Sequence, residues 1–329
     1  MLKKLRKTIN EYRQFSYQDV WKRIGGVSAL LDCMTSQLFL GTCPSNYIYL
    51  EFWRKSHWER KTYLLSRKRN RIYHYLKSHT TAEQFARIKN KLQFNRFFRD
   101  FIHREFLYAA ECDEETIRAF IEKHGVILAK EEAKMMGKGI RRITKEEADS
   151  ALLKQLISGQ YLLEEYIVQH PALAKINSSS VNTVRIATVI DAQKHAHVAG
   201  ACLRCGAPGS YVDNFHAGGV AYPIDTDLGI VVNVGKSANA LDRFFVHPGS
   251  DIPMIGFQIP NWDILISQVI KAAEMVPEML FLGWDIAITE DGVEFVEANT
   301  CQDSDLFQFD HKGKRELILN YLPVQYFKA

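Results

Sequence analysis

Nowhere in its 329 residues does the chain hold the ~18 consecutive uncharged apolar residues that a membrane-crossing helix needs. The nearest approach, VSALLDCMTSQLFLG at 27–41, is interrupted by Asp32 and by polar residues. The basic start MLKKLRKTINEYRQ lacks the apolar stretch of a signal peptide, so none is expected. Cysteine is sparse. Six residues scattered along the chain read as reduced thiols of a cytoplasmic protein, not as a disulfide framework. Cys202 and Cys205 form a lone CxxC, without the second pair that zinc would need or the strand-to-helix junction of a redox dithiol, so a structural role is expected. The eleven histidines form no HExxH, and there is no GxSxG elbow or plausible Cys–His nucleophile setting. No period of 20 to 50 residues repeats, which argues against a solenoid.

What is present is globular: 47% hydrophobic, 24% charged and 12% aromatic residues exclude collagen and wholesale disorder. A chain of this size buries roughly 75% of its extended surface and suits two domains or one large one. The formal charge of +4 conceals a division. Residues 1–110 hold 22 Lys and Arg against 8 Asp and Glu, net +14, whereas 111–329 hold 20 against 30, net −10. The two parts are expected to do different work.

The first 110 residues read as mainly helical, with apolar and aromatic residues at three- and four-residue spacing in YIYLEFWRKSHWERKTYLL and FNRFFRDFIHREFLYAA. DEETIRAFIEKHG reads as a helix stopped by Gly125, GVILAK as a strand ending at Lys130, and KMMGKGI as a glycine-bearing loop. TKEEADSALLKQLIS follows as one helix capped by Thr144 with Glu147, and YLLEEYIV as a strand. VNTVRIATVID and HAHVAGACLRC pair around Gln193 and Lys194. DNFHAGGVAYPID reads as a connection, LGIVVNVG as a strand and NWDILISQVIKAAEMV as a helix. FLGWDIAITEDGVEFVEAN is a hairpin turning at Glu290, Asp291 and Gly292. The order predicts an α+β fold with antiparallel sheet, not βαβ alternation.

The last hairpin brings Asp285 near Glu297, and Asn299, two residues on, points the same way. Three oxygen donors on one face suit magnesium; the alternative is solvated strand carboxylates, although both sit in apolar runs where an unpaired charge is costly. Lys130 ends an apolar strand, and Lys138 lies between Gly137 and Gly139, whose amides could reach phosphate oxygens; exposed lysines at a plain turn are the competing account. Arg185 and Arg204 stand inside apolar runs on neighbouring strands, either gripping an anion or held in a structural ion pair.

Taken together, YLLEEYIVQHPAL, SSSVNTVRIATVI, GSYVDNFHAGGVAYPID, HPGSDIPMIGFQIPNWD and GWDIAIT…EFVEAN resemble the ATP-grasp superfamily, most closely its sugar-transfer-associated members, over about residues 85–310. The resemblance implies an ATP-grasp fold in which two α+β subdomains clamp ATP behind a basic helical region. The divisions expected are 1–110 (helical), 111–175 (small subdomain with flap and hinge) and 176–329 (large subdomain with the metal site). It implies Lys130 and Lys91 at the ATP phosphates, and Gly137, Lys138 and Gly139 as the flap, where AKMMGKGI replaces a more glycine-rich loop. Glu164, Glu165, Tyr166 and Ile167 match the adenine hinge, with a carboxylate accepting from the exocyclic amine, and His170 falls near the ribose. Asp285, Glu297 and Asn299 match magnesium ligands, and Arg185, Arg204 and Asn214 the side facing the γ-phosphate and the activated substrate.

The activity implied is an ATP- and Mg2+-dependent carboxylate–amine ligase, working through an acyl phosphate and acting on a cell-surface polysaccharide precursor, with a sugar acid or amino acid as substrate. A kinase-like phosphotransferase and a non-catalytic ATP- or phosphoglycan-binding module are the alternatives. Expected partners are small carboxylates and amines, with a sugar nucleotide or lipid-linked sugar among the options and no nucleic acid. The basic first third is either a solvated helical face or a platform for an anionic partner, and the expected location is the cytoplasm, with the inner face of the membrane as an option.

Overall fold

The computed structural model describes residues 2–17, 19–132, 139–239 and 241–322. The first third folds as helices α1 (Leu2–Tyr17), α2 (Val20–Ile24), α3 (Val27–Leu40), α4 (Pro44–Tyr49), α5 (His57–Lys61), α6 (Ser66–His79), α7 (Ala82–Lys89) and α8 (Lys91–Phe97). Strand β1 (Phe106–Tyr108), helix α9 (Glu114–His124), strands β2 (Val126–Glu131) and β3 (Ile140–Thr144), helix α10 (Ser150–Ser158) and strand β4 (Tyr161–Glu165) follow. The remainder comprises α11 (Pro171–Ala174), β5 (Thr183–Ile190), β6 (Ala196–Cys205), β7 (Val220–Asp225), β8 (Ile230–Val231), β9 (Lys236–Ser237), α12 (Trp262–Glu274), β10 (Phe281–Ile288), β11 (Val293–Asn299) and α13 (Arg315–Tyr321).

Two antiparallel sheets organise these elements. The smaller runs β1-β4-β2-β3, so its edge strand comes from residues 106–108, on the N-terminal side of the expected division at 110. Helices α9 and α10 cover it, and Ile117, Ile121, Leu153 and Leu156 bury their apolar stripes against Ile127, Ala129 and Leu163. The larger sheet runs β11-β10-β5-β6-β7-β8, with β9 beside β7. One of its faces forms the main core: Trp284, Ile286, Ile186 and Leu203 meet α12 and also Phe94 and Phe98 from the first third. The other face carries Cys202 and Ala221 into a second cluster with Trp21, Tyr47, Tyr49 and Phe52. The basic helices therefore line both faces of the large sheet. Cys202 and Cys205, three apart on β6, fall in opposite clusters, which rules out a dithiol.

Two local expectations are corrected. The helix expected from Thr144 is split. Thr144 and Glu147 form their capping box over a single 3-10 turn, Ala148 leaves helical geometry, and Asp149 starts α10 by accepting from the Leu152 amide at 2.7 Å. The segment expected as a connection contains β7, in which Pro223 stands opposite Cys202. Proline is tolerated there because on its far side β7 meets β9 at Val220 and Ala221 and β8 at Ile224 and Asp225, and between them residue 223 is asked only for its carbonyl, which accepts from the Val232 amide at 3.0 Å. LGIVVNVG contributes only the two residues of β8.

Candidate active site at the junction of the two sheets

Cross-strand register builds the site. Asp285 lies opposite Glu297 on one side and Arg185 on the other, and Thr183 lies opposite Arg204. Residues in register share a face, so Glu297, Asp285 and Arg185 form one row across β11, β10 and β5. Asp285 is buried and doubly gripped. Arg185 Nε reaches Oδ1 and Nη2 reaches Oδ2 at 2.7 Å, while Arg204 Nη1 lies 2.8 Å from Oδ2. Burial alone would raise its pKa, but the two guanidiniums hold it far below the usual carboxylate range. Arg204 also donates to Asp213 at 2.8 Å, and Thr183 donates to the other Asp213 oxygen. Of the two readings left open for these arginines, the ion pair is observed.

Glu297 behaves oppositely. Solvent reaches its side chain, yet surrounding protein and then Asp285, to which it is hydrogen-bonded, push its pKa up. Asn299 Nδ2 donates to Glu297 Oε1 at 3.4 Å. The three expected metal ligands are thus together on the hairpin. Among the described residues no group of three or more His, Cys, Asp and Glu side chains is arranged to hold a metal; this set has two carboxylates and an amide. The donor chemistry still fits a hard cation. Two crowded carboxylates, one of them pushed towards protonation, are what a divalent ion relieves, and like charges 4 Å apart repel by about 4 kcal/mol at an effective dielectric of 20. Asp285 already accepts from two arginines, so Glu297 and Asn299 carry the spare acceptor capacity.

The lysine strand meets this hairpin through a buried network. Lys130, on β2, pairs with Glu164 on β4. Glu164 also accepts from Arg104 Nη2 at 2.6 Å, Arg104 Nε at 3.0 Å and Asn95 at 2.6 Å. Arg104 continues to Glu294 on β11 at 2.5 Å and to the Phe295 carbonyl at 2.7 Å, so one guanidinium joins the two sheets. Burial opposes the charge on Glu164, but Arg104 and Lys130 overcome it and bring the pKa to about 2. Its carboxylate is therefore committed to protein cations, not presented to an adenine amine. Lys91 opens α8, which Phe94 anchors beside Trp284, and its ammonium donates to the Glu131 carbonyl at 2.9 Å. Its pKa is lowered first by burial and also by Lys130, while Glu297 opposes the shift.

The other expected residues are placed as follows. Glu165 accepts from the Glu105 amide at 3.0 Å and faces His124 at 3.7 Å. Tyr166 lies under the Arg142 guanidinium, 5.8 Å away, and Ile167 is buried. His170 Nδ1 accepts from the Ala172 amide, capping α11, so this ring nitrogen serves the fold. Asn214 Oδ1 accepts from the His216 amide at 3.0 Å in the turn before β7. Gly139 lies in the left-handed region next to β3, and its carbonyl accepts from Glu131. Gly137 and Lys138 lie outside the described residues. Sequence reasoning missed Arg104, Asp213 and Glu294. Asp213 immediately precedes the quoted Asn214, and Arg104 interrupts an aromatic run, which is the signature of a buried, partnered guanidinium.

A four-stranded and a larger antiparallel sheet, joined by a charged seam, form the two α+β subdomains of an ATP-grasp architecture. The chain belongs to the sugar-transfer associated ATP-grasp family, whose model matches residues 142–317. No curated protein matches the sequence. Among solved structures, similar chains include the ATP-grasp ligase PsnB complexed with a phosphomimetic variant of its minimal precursor, Mg and ADP (16% identity, TM-score 0.43, covering 70% of this chain and 56% of that one). Others are D-alanyl-alanine synthetase A from Vibrio cholerae (10%, 0.44, 75% and 64%) and N5-carboxyaminoimidazole ribonucleotide synthetase from Thermotoga maritima (10%, 0.44, 78% and 56%). The chain thus spans less than two thirds of the length of each.

Proposed function

We propose that this chain is an ATP- and magnesium-dependent carboxylate–amine ligase that forms an amide on a cell-surface polysaccharide precursor, with a sugar acid or amino acid as substrate. The observation that carries the reading is the charged row Glu297–Asp285–Arg185 with Arg204, set beside the Lys130 and Lys91 ammonium groups. Within it, Lys130 and Lys91 would neutralise ATP phosphates. Arg185 and Arg204, fixed by Asp285, would orient the γ-phosphoryl group and the attacking carboxylate. Bound magnesium, held by Glu297 and Asn299 with Asp285, would supply further charge neutralisation.

The reaction asks for no protein nucleophile. The substrate carboxylate attacks the γ-phosphorus, the bond to the β-phosphate oxygen breaks, and ADP leaves. An amine then adds to the acyl phosphate carbonyl, inorganic phosphate departs, and the amine proton passes to solvent or base. Catalysis by positioning and charge is what such pre-organised cations provide. Backbone groups at 165–167, not the Glu164 carboxylate, would read the adenine edge, and Gly139 with Gly137 and Lys138 would close over the phosphates.

The test is ADP release by the full chain with Mg-ATP and pools of amino acids, uronic acid nucleotides and amines, followed by mass spectrometry. A ligase requires both cosubstrates and yields an amide and phosphate. A stable phosphorylated acceptor formed without any amine would identify a phosphotransferase, and no nucleotide turnover with any pool would leave a binding module.

A further inference from the structure

We infer that the outer face of α3, together with Trp58, docks on an anionic lipid bilayer. Helix α3 is apolar on two sides. Its inner side buries Ala29, Cys33 and Ser36 against the helical cluster. Its outer side presents Val27, Leu31, Met34 and Leu38, spaced 4, 3 and 4 residues apart, each between 52% and 72% exposed. A helix at a protein surface ordinarily turns charged and polar residues outward. Here the single charged residue, Asp32, is taken by Arg60 at 2.7 Å and by the Tyr47 hydroxyl. Phe39 extends the ridge, and Trp58 on α5 stands 75% exposed. The two helices are neighbours: Thr35 and Phe39 share one concavity of about 200 Å³ with His57 and Arg60.

The rim decides the occupant. Lys22 and Arg23 end α2 just before α3. At the other end Arg67 donates to the carbonyls of Gln37 and Leu38 at 3.2 and 3.0 Å. Lys61 stands 4.4 Å over the Trp58 ring, with Arg54 and Lys55 on the preceding segment. The first 110 residues carry a net +14, so two copies meeting on this face would set like charges together. An anionic bilayer offers apolar depth for the ridge and negative headgroups for the rim, with tryptophan at the boundary. Fourteen helical residues span about 21 Å, short of the ~30 Å hydrocarbon core, so α3 would lie in the plane of the surface. No described helix is long and apolar enough to cross a membrane.

This inference is independent of the ligase reading. The full chain is sedimented with vesicles of phosphatidylcholine, alone or mixed with phosphatidylglycerol, at two salt concentrations. Binding to the mixed vesicles that weakens with salt, a blue shift of tryptophan emission abolished by Trp58→Phe, and a loss of at least about 10-fold on combining Leu31→Glu with Leu38→Glu are expected. Unchanged circular dichroism melts are expected for that variant because both side chains are exposed, and Leu31→Ala with Leu38→Ala, losing less affinity, serves if the glutamates disturb folding. Failure to bind mixed vesicles at low salt, or undiminished binding by the variants, overturns the inference. So does a vesicle-free dimer of the wild type that the glutamates convert to monomer, which would make a second copy the occupant.

Discussion

Neutralising Asp285 and neutralising Glu297 should have opposite effects on stability although the two residues face each other across the same pair of strands. Asp285 is the shared counter-ion of Arg185 and Arg204, all three buried. In Asp285→Asn the charge is lost, and the new amide sets a donor against guanidinium donors. Removing one partner from a buried ion cluster costs about 3–5 kcal/mol. With an unfolding entropy near 2.1 cal/mol/K per residue, that is a fall in Tm of about 4–7 °C for a chain of this length.

Glu297 is the reverse case. Its pKa is raised, so its contribution to stability is present at low pH and lost as pH rises through the folded value. Glu297→Gln removes that loss and should leave Tm at pH 8 unchanged or higher, with no gain at pH 4. Both variants should abolish ATP turnover, but only Glu297→Gln isolates the ligand role from the fold. Thermal melts at the two pH values, beside an ADP-release assay, make the comparison. An Asp285→Asn protein as stable as the wild type would refute the ion-cluster argument, and a Glu297→Gln protein with full turnover would refute the metal assignment.

Three further outcomes are expected. Arg104→Met strands Glu294 in the seam and leaves Glu164 only Lys130 and Asn95, and should cost about 3–5 kcal/mol by denaturant titration; a loss under about 1 kcal/mol would show that the seam relaxes. Lys130→Met leaves Glu164 with Arg104 and Asn95, so stability should suffer less than in Arg104→Met, while nucleotide affinity by calorimetry should fall about 10- to 100-fold. Unchanged affinity would remove Lys130 from the phosphate site. Asp305, buried beside Asp303 and accepting from Asn46, has its pKa pushed up to about 7, chiefly by burial. Its native state keeps a proton that the unfolded chain releases, so stability falls as pH rises from about 4 to 7, and Asp305→Asn should stabilise on the order of a few kcal/mol at pH 8 and little at pH 4. Equal melting shifts at both pH values would contradict this.

Where an element depends on neighbours in sequence, it was legible. The hairpin 281–299 announces itself by two β-rich runs around Glu290–Gly292, and the turn sets its register as far as Ile286 and Phe295; a bulge beyond them, which the sequence does not announce, is what brings Asp285 opposite Glu297. Arg185 and Arg204 stood out because a charge that cannot be neutralised must find a partner when its strand is apolar. Local patterns failed where two signals compete. Asp149 offers a second N-cap within what Thr144 had opened, and Pro223 disguises a strand whose pairing asks nothing of its missing N–H. They also failed where partners are far apart. Arg104 meets Glu164 and Glu294 at separations of 60 and 190 residues, and no window of sequence contains that encounter.

The same distance effect explains why the basic first third looked separable. Its charge sets it apart, but its apolar residues do not. Phe94 and Phe98 lie against Trp284, the residue before Asp285, so the helix that starts at Lys91 is fixed to the strand that carries the acid. Asn95, on the same helix, donates to Glu164, the partner of Lys130. Packing on one face of α8 therefore holds both site lysines relative to the hairpin, one directly and one through a carboxylate. A cut at residue 110 would remove Lys91, Asn95, Arg104 and β1 together, exposing Trp284, leaving Glu294 without its cation and Glu164 with Lys130 alone. On those grounds the charge asymmetry marks a difference in outward surface, while the division of the core runs elsewhere, along the seam that Arg104 closes.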